Sequence, residues 1–145
     1  MMPTRTSTLS LTLAAGLAAV LLAGCASTQD QAPSSSEMPP AINVGGVMVG
    51  TANRMTLYTF DQDGVNKSNC NAQCAQNWPP LLADAKAVNR GDFSVFQRDD
   101  GRKQWALVGK PLYYWSKDAR PGDMSGDMLN NGQWHAFRVL PRAAR

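Results

Sequence analysis

Three cysteines and a single histidine are the side chains of this 145-residue sequence best equipped for nucleophilic, redox or metal chemistry. Cys70 and Cys74 stand four positions apart in SNCNAQCAQNWPP. On a helix such a pair shares one face, with Cβ atoms about 5–6 Å apart. A disulfide wants them ~3.8 Å apart, so bonding requires the first turn to distort, as it can at a frayed start. With Cys25 engaged elsewhere, the even pair in an oxidising compartment points to a structural disulfide. The competing reading is a redox or copper-handling pair, with His135 and the thioethers of Met48, Met55, Met124 and Met128 as further soft ligands. The thioredoxin-like βαβ pattern that would carry such a pair is not visible. Covalent haem needs CxxCH, and no His follows Cys74.

Acid–base chemistry has little to draw on. Glu37 is the only glutamate and His135 the only histidine, which removes most general acid–base and nucleophile–base pairs. Asp61-Gln62-Asp63-Gly64 looks like the start of a calcium loop, but Gly64 comes at position 4 instead of 6, and position 12 is Ala72 instead of Glu. With Asp118, Asp123 and Asp127 a different oxygen site stays open; solvated turn aspartates are the simpler account. No nucleophile-elbow sequence supports Ser-His-Asp hydrolysis. The expectation is therefore no enzyme: no catalytic residue, no cofactor, no resident metal. The formal charge is +3, and Arg138, Arg142 and Arg145 crowd the C-terminal end. A nearly neutral domain with a basic tail lacks the clustered patch of a nucleic-acid binder.

The elements that must position these groups begin after an export address. Arg5 makes a positive n-region, and residues 9–23 form an apolar run, short of the ~20 residues of a membrane span but right for a signal-peptide core. Leu22-Ala23-Gly24-Cys25 has the form of a lipobox: an aliphatic residue, two small ones, then the thiol that takes the lipid. Residues 1–24 thus read as a lipoprotein signal peptide and 25–41 as a lipidated Cys25 followed by a Ser/Pro/Gln tether without apolar periodicity. Ala26, in place of Asp, favours the outer membrane facing the periplasm if the cell is Gram-negative.

Residues 42–139 carry an internal repeat, with residues 140–145 as a basic tail. Leu57-Tyr58-Thr59-Phe60-Asp61-Gln62-Asp63 matches Leu112-Tyr113-Tyr114-Trp115-Ser116-Lys117-Asp118. Each copy follows a hairpin signal: Gly45-Gly46 between residues 42–44 and 47–49, and Asp100-Gly101 between 93–97 and 104–108. Each is followed by a tryptophan, Trp78 or Trp134. Two repeats, 42–80 and 93–139, are expected, each a hairpin, a turn, an aromatic strand and an acidic loop. Strand alternation sends Tyr58 and Phe60 to one face, and Tyr113 and Trp115 likewise. The simplest account makes these aromatics the core between the halves. Asp63 and Asp118 would then accept N–H bonds within their own loops. A short helix is expected near residues 71–77, capped by Ser68 or Asn69 and stopped by Pro79.

The YxFxxD and YxWxxD copies, the C-x3-C-A-x-x-WPPL stretch and the RDDGxxQW…GxPLYYW run together resemble the predicted bacterial lipoproteins described by a Yx(F/W/Y)xxD motif, the secreted repeat of unknown function or lipoprotein-15 family. The resemblance covers about residues 44–137. It implies an exported tandem-repeat module and supplies motif positions only: Tyr58, Phe60, Asp63, Tyr113, Trp115 and Asp118. The expected fold is a small, mostly-β domain of two intertwined repeats, a barrel or a sandwich. The expected function is a lipid-anchored envelope lipoprotein, a non-enzymatic binding or structural module with a protein or glycan partner in the envelope. The alternatives are the copper or redox protein above, and a glycan or peptidoglycan binder using exposed tryptophans.

Overall fold

A computed structural model describes residues 38–140. The signal segment, Cys25, the tether as far as residue 37 and residues 141–145 of the tail lie outside the described residues.

The first hairpin joins β1 (Ala41–Val44) to β2 (Val47–Gly50) in antiparallel register, Val44 facing Val47. Its two-residue turn needs positive φ at both positions, which Gly45 (φ 60°) and Gly46 (φ 86°) supply without a Cβ penalty. β3 (Tyr58–Phe60) follows, and then, after the acidic loop, helix α1 (Gln73–Asn77) and β4 (Leu82–Ala83). The second hairpin joins β5 (Phe93–Gln97) to β6 (Lys103–Leu107), with the short β7 (Lys110–Pro111) on the other side of the turn. A four-residue turn α2 (Leu129–Gly132), with Asn130 and Asn131 in the left-handed region, leads into β8 (Trp134–Ala136).

Among the described residues the protein is thus mostly β, and the strands form no closed barrel. They lie in three ladders: β1–β2, β3–β8, and β4–β6–β5 with β7 on β6. The order shows the repeats to be intertwined. β8, from the second repeat, pairs with β3 of the first. β4, from the first repeat, pairs with β6 of the second. The crossing is reciprocal down to single bonds. Phe137 donates its N–H to Leu57 O and accepts from Met48 N, while Leu81 donates to Leu112 O and accepts from Trp105 N, at 2.8–2.9 Å throughout.

Two expectations need correction. The second aromatic segment is not a strand matching β3: Tyr113 makes only isolated bridges, to Tyr58 and Pro80. β3 lies against Trp134, His135 and Ala136, all with backbone N–H groups. The segment after Leu112 lies instead against Pro79 and Pro80, where Tyr114 N–H reaches Pro79 O at 2.7 Å, and prolines donate nothing back, so the ladder stops. Nor is α1 capped by Ser68 or Asn69. Its cap position is Ala72, at φ 47° and with no side-chain cap bond, because Ser68 and Asn69 are bound elsewhere. The first turn does distort as the cysteine spacing requires: Cys70 stays outside the helix, 5.2 Å from Cys74 between Cα atoms, and the two are bonded.

Two apolar clusters result. One gathers Ala41, Met48, Leu57, Leu81, Trp105, Leu107 and Leu112 beneath the hairpins. The other gathers Tyr58, Cys70, Trp78, Tyr113, Trp134 and Ala136 where the repeats meet.

Candidate functional site at the junction of the repeats

Tyr58 and Tyr113, both fully buried, face each other across an antiparallel bridge in which each N–H donates to the other's carbonyl, at 2.8 and 3.0 Å. The two side chains then cross over. Tyr58 donates its hydroxyl to Asp118 Oδ2 at 2.6 Å, and Tyr113 donates to Asp63 Oδ2 at 2.7 Å. The tyrosine of each motif is therefore completed by the aspartate of the other. The second oxygen of each carboxylate serves its own loop: Asp63 Oδ1 accepts from Asn69 N–H at 2.7 Å, and Asp118 Oδ1 from Ser125 N–H at 3.0 Å and its hydroxyl at 2.7 Å. Own-loop acceptance is what the spacing implied; the exchange between motifs is not visible in spacing.

The remaining motif aromatics cross in the same way. Phe60, Trp134, Trp78 and Trp115 form one stack that alternates between repeats. Trp78 and Trp134 lie face to face at its centre, 3.8 Å between centroids and 3° from parallel. Phe60 covers Trp134 at 4.4 Å, and Trp115 covers Trp78 at 4.2 Å. Tyr58 and Tyr113 meet Trp78 and Trp134 edge-on, the geometry that sets the ring's positive edge against a negative face.

The two loops beside the stack differ. In the first, Arg98 reaches in from the end of β5, only 4% exposed. Its guanidinium donates to Ser68 Oγ (2.9 Å), Gln104 Oε1 (2.6 Å) and Cys70 O (2.8 Å). Ser68 Oγ also lies 2.7 Å from the Tyr113 hydroxyl, and Gln104, itself fully buried, donates to Leu112 O. In the second loop, Gly126 N–H approaches the Tyr58 hydroxyl at 3.3 Å. A Cβ on Gly126 would come within 2.8–3.0 Å of Trp78 and Trp115, so only glycine lets the backbone pass the stack. Asp127 accepts from Ala136 N–H at 2.9 Å and from Arg138 at 2.7 Å.

Electrostatics follow from this. Burial, reinforced by the facing carboxylate, pushes both Tyr58 and Tyr113 well above the ordinary phenol range, so each is a hydroxyl donor. Burial also raises Asp63, outweighing the Asn69 and Tyr113 hydrogen bonds and the Arg98 charge that favour its ionised form. At Asp127 burial raises the carboxyl too, but the Ala136 N–H and Arg138 together outweigh it and hold the group below its usual range.

The structure does not bring the soft-ligand set together. Cys70 is buried against the junction, whereas Met48 packs in the hairpin cluster and Met128 is 62% exposed. Among the described residues no three His, Cys, Asp or Glu side chains converge. His135 Nε2 pairs with Asp61 Oδ2 at 3.0 Å on the surface. Three of the four tryptophans, Trp78, Trp105 and Trp134, are buried, and Trp115 has one face on Trp78. Arg98 as an organising residue was missed. Its signal lay in RDDGxxQW: the hairpin register sets Gln104 opposite Phe96, so that Arg98, two residues on, lies diagonal to it on the same face, but an arginine before Asp-Asp-Gly reads as a solvated turn residue.

The secreted-repeat model, Lipoprotein_15, "secreted repeat of unknown function", matches the chain twice, over residues 43–82 and 94–138. No curated protein and no solved structure matches it. The two matched segments are the halves whose tyrosines, aspartates and tryptophans answer one another across the junction, and the chain belongs to this family of secreted repeats as an intertwined pair of its units.

Proposed function

We propose that this protein is a non-enzymatic binding or structural module of the cell envelope, held to the membrane by lipid on Cys25. The observation that carries the non-enzymatic part is the mutual engagement of the motif residues. The junction's phenols are bound to its carboxylates, its two cysteine sulfurs are bonded to each other, and the aromatic faces are stacked on aromatic faces. Polar groups engaged in this way hold a fold together and offer a substrate nothing to react with. Among the described residues no buried side-chain nitrogen or oxygen lacks a partner.

Anchoring is supported by Leu22-Ala23-Gly24-Cys25, by the tether that follows, by membership of a secreted family and by a disulfide suited to an oxidising compartment. Ala26, in place of Asp after Cys25, supports the outer membrane, facing the periplasm, if the cell is Gram-negative. The test is fractionation. Cys25→Ser should move the protein from the membrane to the soluble fraction, and unchanged membrane association would refute the anchor. Intact mass of the unreduced protein after alkylation should show no modified thiol at Cys70 or Cys74; two alkylated thiols would favour a redox or copper role instead.

A further inference from the structure

Neither repeat finishes its own sheet, its own hydrogen bonds or its own aromatic stack. Repeat 1 lacks the strand that β8 supplies, the carboxylate that Asp118 supplies and the ring that Trp134 supplies. Repeat 2 lacks the strand that β4 supplies to β6, and, in places corresponding to Asp118 and Trp134, the carboxylate of Asp63 and the ring of Trp78. The two sets of contacts match across the Tyr58–Tyr113 bridge, which is the signature of a self-complementary, two-fold interface. What makes the pairing intramolecular is one connection, residues 84–92, between β4 and β5. None of its residues is buried; Ala87 and Arg90 are half-buried and the rest are exposed. Its ties include a turn from Ala87 N–H to Asp84 O, Asn89 accepting from Val95 N–H, Lys103 reaching Ala85 O, Arg90 donating to Met38 O at 3.0 Å, Asp92 O accepting from Val108 N–H at 2.8 Å, and Ala87 packing beside the hairpin cluster.

We propose that a second copy of this chain is a natural partner, and that two copies exchange whole repeats across the 84–92 linker to form a closed dimer. Repeat 1 of one protomer then pairs with repeat 2 of its partner, so the dimer contains two junctions with every bond described above. No new surface is needed, because the interface is the one that already folds the monomer. The balance between closed monomer and dimer is set by the linker, through the effective concentration at which it presents one repeat to the other. The inference rests on the fold and is independent of the anchoring reading. Where Cys25 carries lipid, the dimer holds two anchors, and two acyl anchors bind a membrane far more durably than one.

The linker geometry gives a direct test. β4 and β5 flank β6, with Ala83 level with Lys103 and Phe93 level with Leu107. The connection therefore spans two strand spacings and four residues of strand, a straight-line distance of ~17 Å that runs through β6. Deleting residues 85–89 leaves four connecting residues, which at ~3.4 Å per step reach ~17 Å only in a straight line and cannot pass around the strand. The shortened full chain should have twice the monomer mass by light scattering, with the near-ultraviolet circular dichroism of the stacked tryptophans unchanged. A folded monomer would overturn the proposal.

A second measurement covers failure to fold. Full chains carrying Tyr58→Ala and Tyr113→Ala are unfolded together and refolded as a mixture. Repeat 2 of the first and repeat 1 of the second are both native, so exchange creates one intact junction per dimer. About half of the melting amplitude should return to the parent's transition, in a species of twice the monomer mass. A mixture that melts as the sum of the two variants overturns the inference, whether or not the shortened chain folds.

Discussion

The Asp63 loop and the Asp118 loop hold equivalent carboxylates against equivalent tyrosines, yet they are built from different materials. The Asp63 loop is fastened by the Cys70–Cys74 disulfide and by buried Arg98, which binds the loop's Ser68 and Cys70 carbonyl from the neighbouring hairpin. The Asp118 loop has neither. It runs through Gly126 against the tryptophan stack and is tied by turns on Asp118 and Asp123, with Asp123 Oδ2 accepting from Ala119 and Arg120 N–H. The half-site that matters to both repeats, a carboxylate oxygen aimed at a buried phenol, is the same. Repetition here preserves the contact between repeats and leaves each loop free to reach it by its own route.

The largest effect should come from what the two halves share. Tyr58→Ala and Tyr113→Ala should each destabilise the domain by about 3–5 kcal/mol in urea denaturation, as emptied aromatic positions do. A domain stable by about 5–15 kcal/mol then melts at modest temperature. If both variants melt within a degree of the parent, the junction is not the core of the fold.

The disulfide probes what the halves do not share. Its loop is very short, so replacing Cys70 and Cys74 together by Ala should cost about 2 kcal/mol by chain entropy. The loss should appear in the first repeat, as faster hydrogen exchange at Asn69 N–H while Ser125 N–H stays protected. Equal loss of protection in both loops would mean that the bond supports the junction as a whole.

A smaller effect tests the crossing itself. In double-mutant cycles Tyr58→Phe should couple to Asp118→Ala by about 1 kcal/mol and to Asp63→Ala by much less. The pattern should invert for Tyr113→Phe. Coupling within each motif instead of between motifs would show the exchange to be wrong.

The smallest effect distinguishes the two acidic environments by the sign of their pH dependence. Burial raises Asp63, so its contribution to stability is complete below about pH 4, the unfolded-chain value, and is lost as pH rises through the folded one. Asp127 is held low by Ala136 N–H and Arg138 against its burial; its contribution is present above about pH 4 and lost as pH falls. The stability advantage of the parent over Asp63→Asn should therefore shrink on raising pH above about 4. Its advantage over Asp127→Asn should shrink on lowering pH below that point. Urea midpoints across the acid range check this, and slopes of the same sign would contradict it.

Much of the fold was legible because it is local. The Gly45-Gly46 and Asp100-Gly101 turns placed both hairpins, since only residues tolerant of positive φ can make them, and φ is 60°, 86° and 83° at Gly45, Gly46 and Gly101. The repeat offset marked the aromatic motifs, and the cysteine spacing foretold both the bond and the distorted turn beside it. The failures also have local causes. Tyr113 to Trp115 has the alternation of a strand, but a strand needs donors on its neighbour, and the neighbour is Pro79-Pro80. Ser68 and Asn69 are good caps, but the Ser68 hydroxyl is held by Arg98 and Tyr113, and the Asn69 side-chain amide donates to Gln62 O.

Taken alone, the sequence determined the two repeats, the hairpin turns and the membership of the motif residues, because each depends on residues close together in the chain. Only the tertiary structure decided which tyrosine meets which aspartate and which ring stacks on which. It also decided that β8 completes β3, and that Arg98 is buried instead of solvated. Those choices are between identical motifs, so no local pattern distinguishes a repeat that closes on itself from one that closes on its twin. The distinction lies in the path of the chain: the same loops that carry Asp63 and Asp118 out of each aromatic segment deliver Trp78 and Trp134 to the other repeat, where each covers the other's ring face.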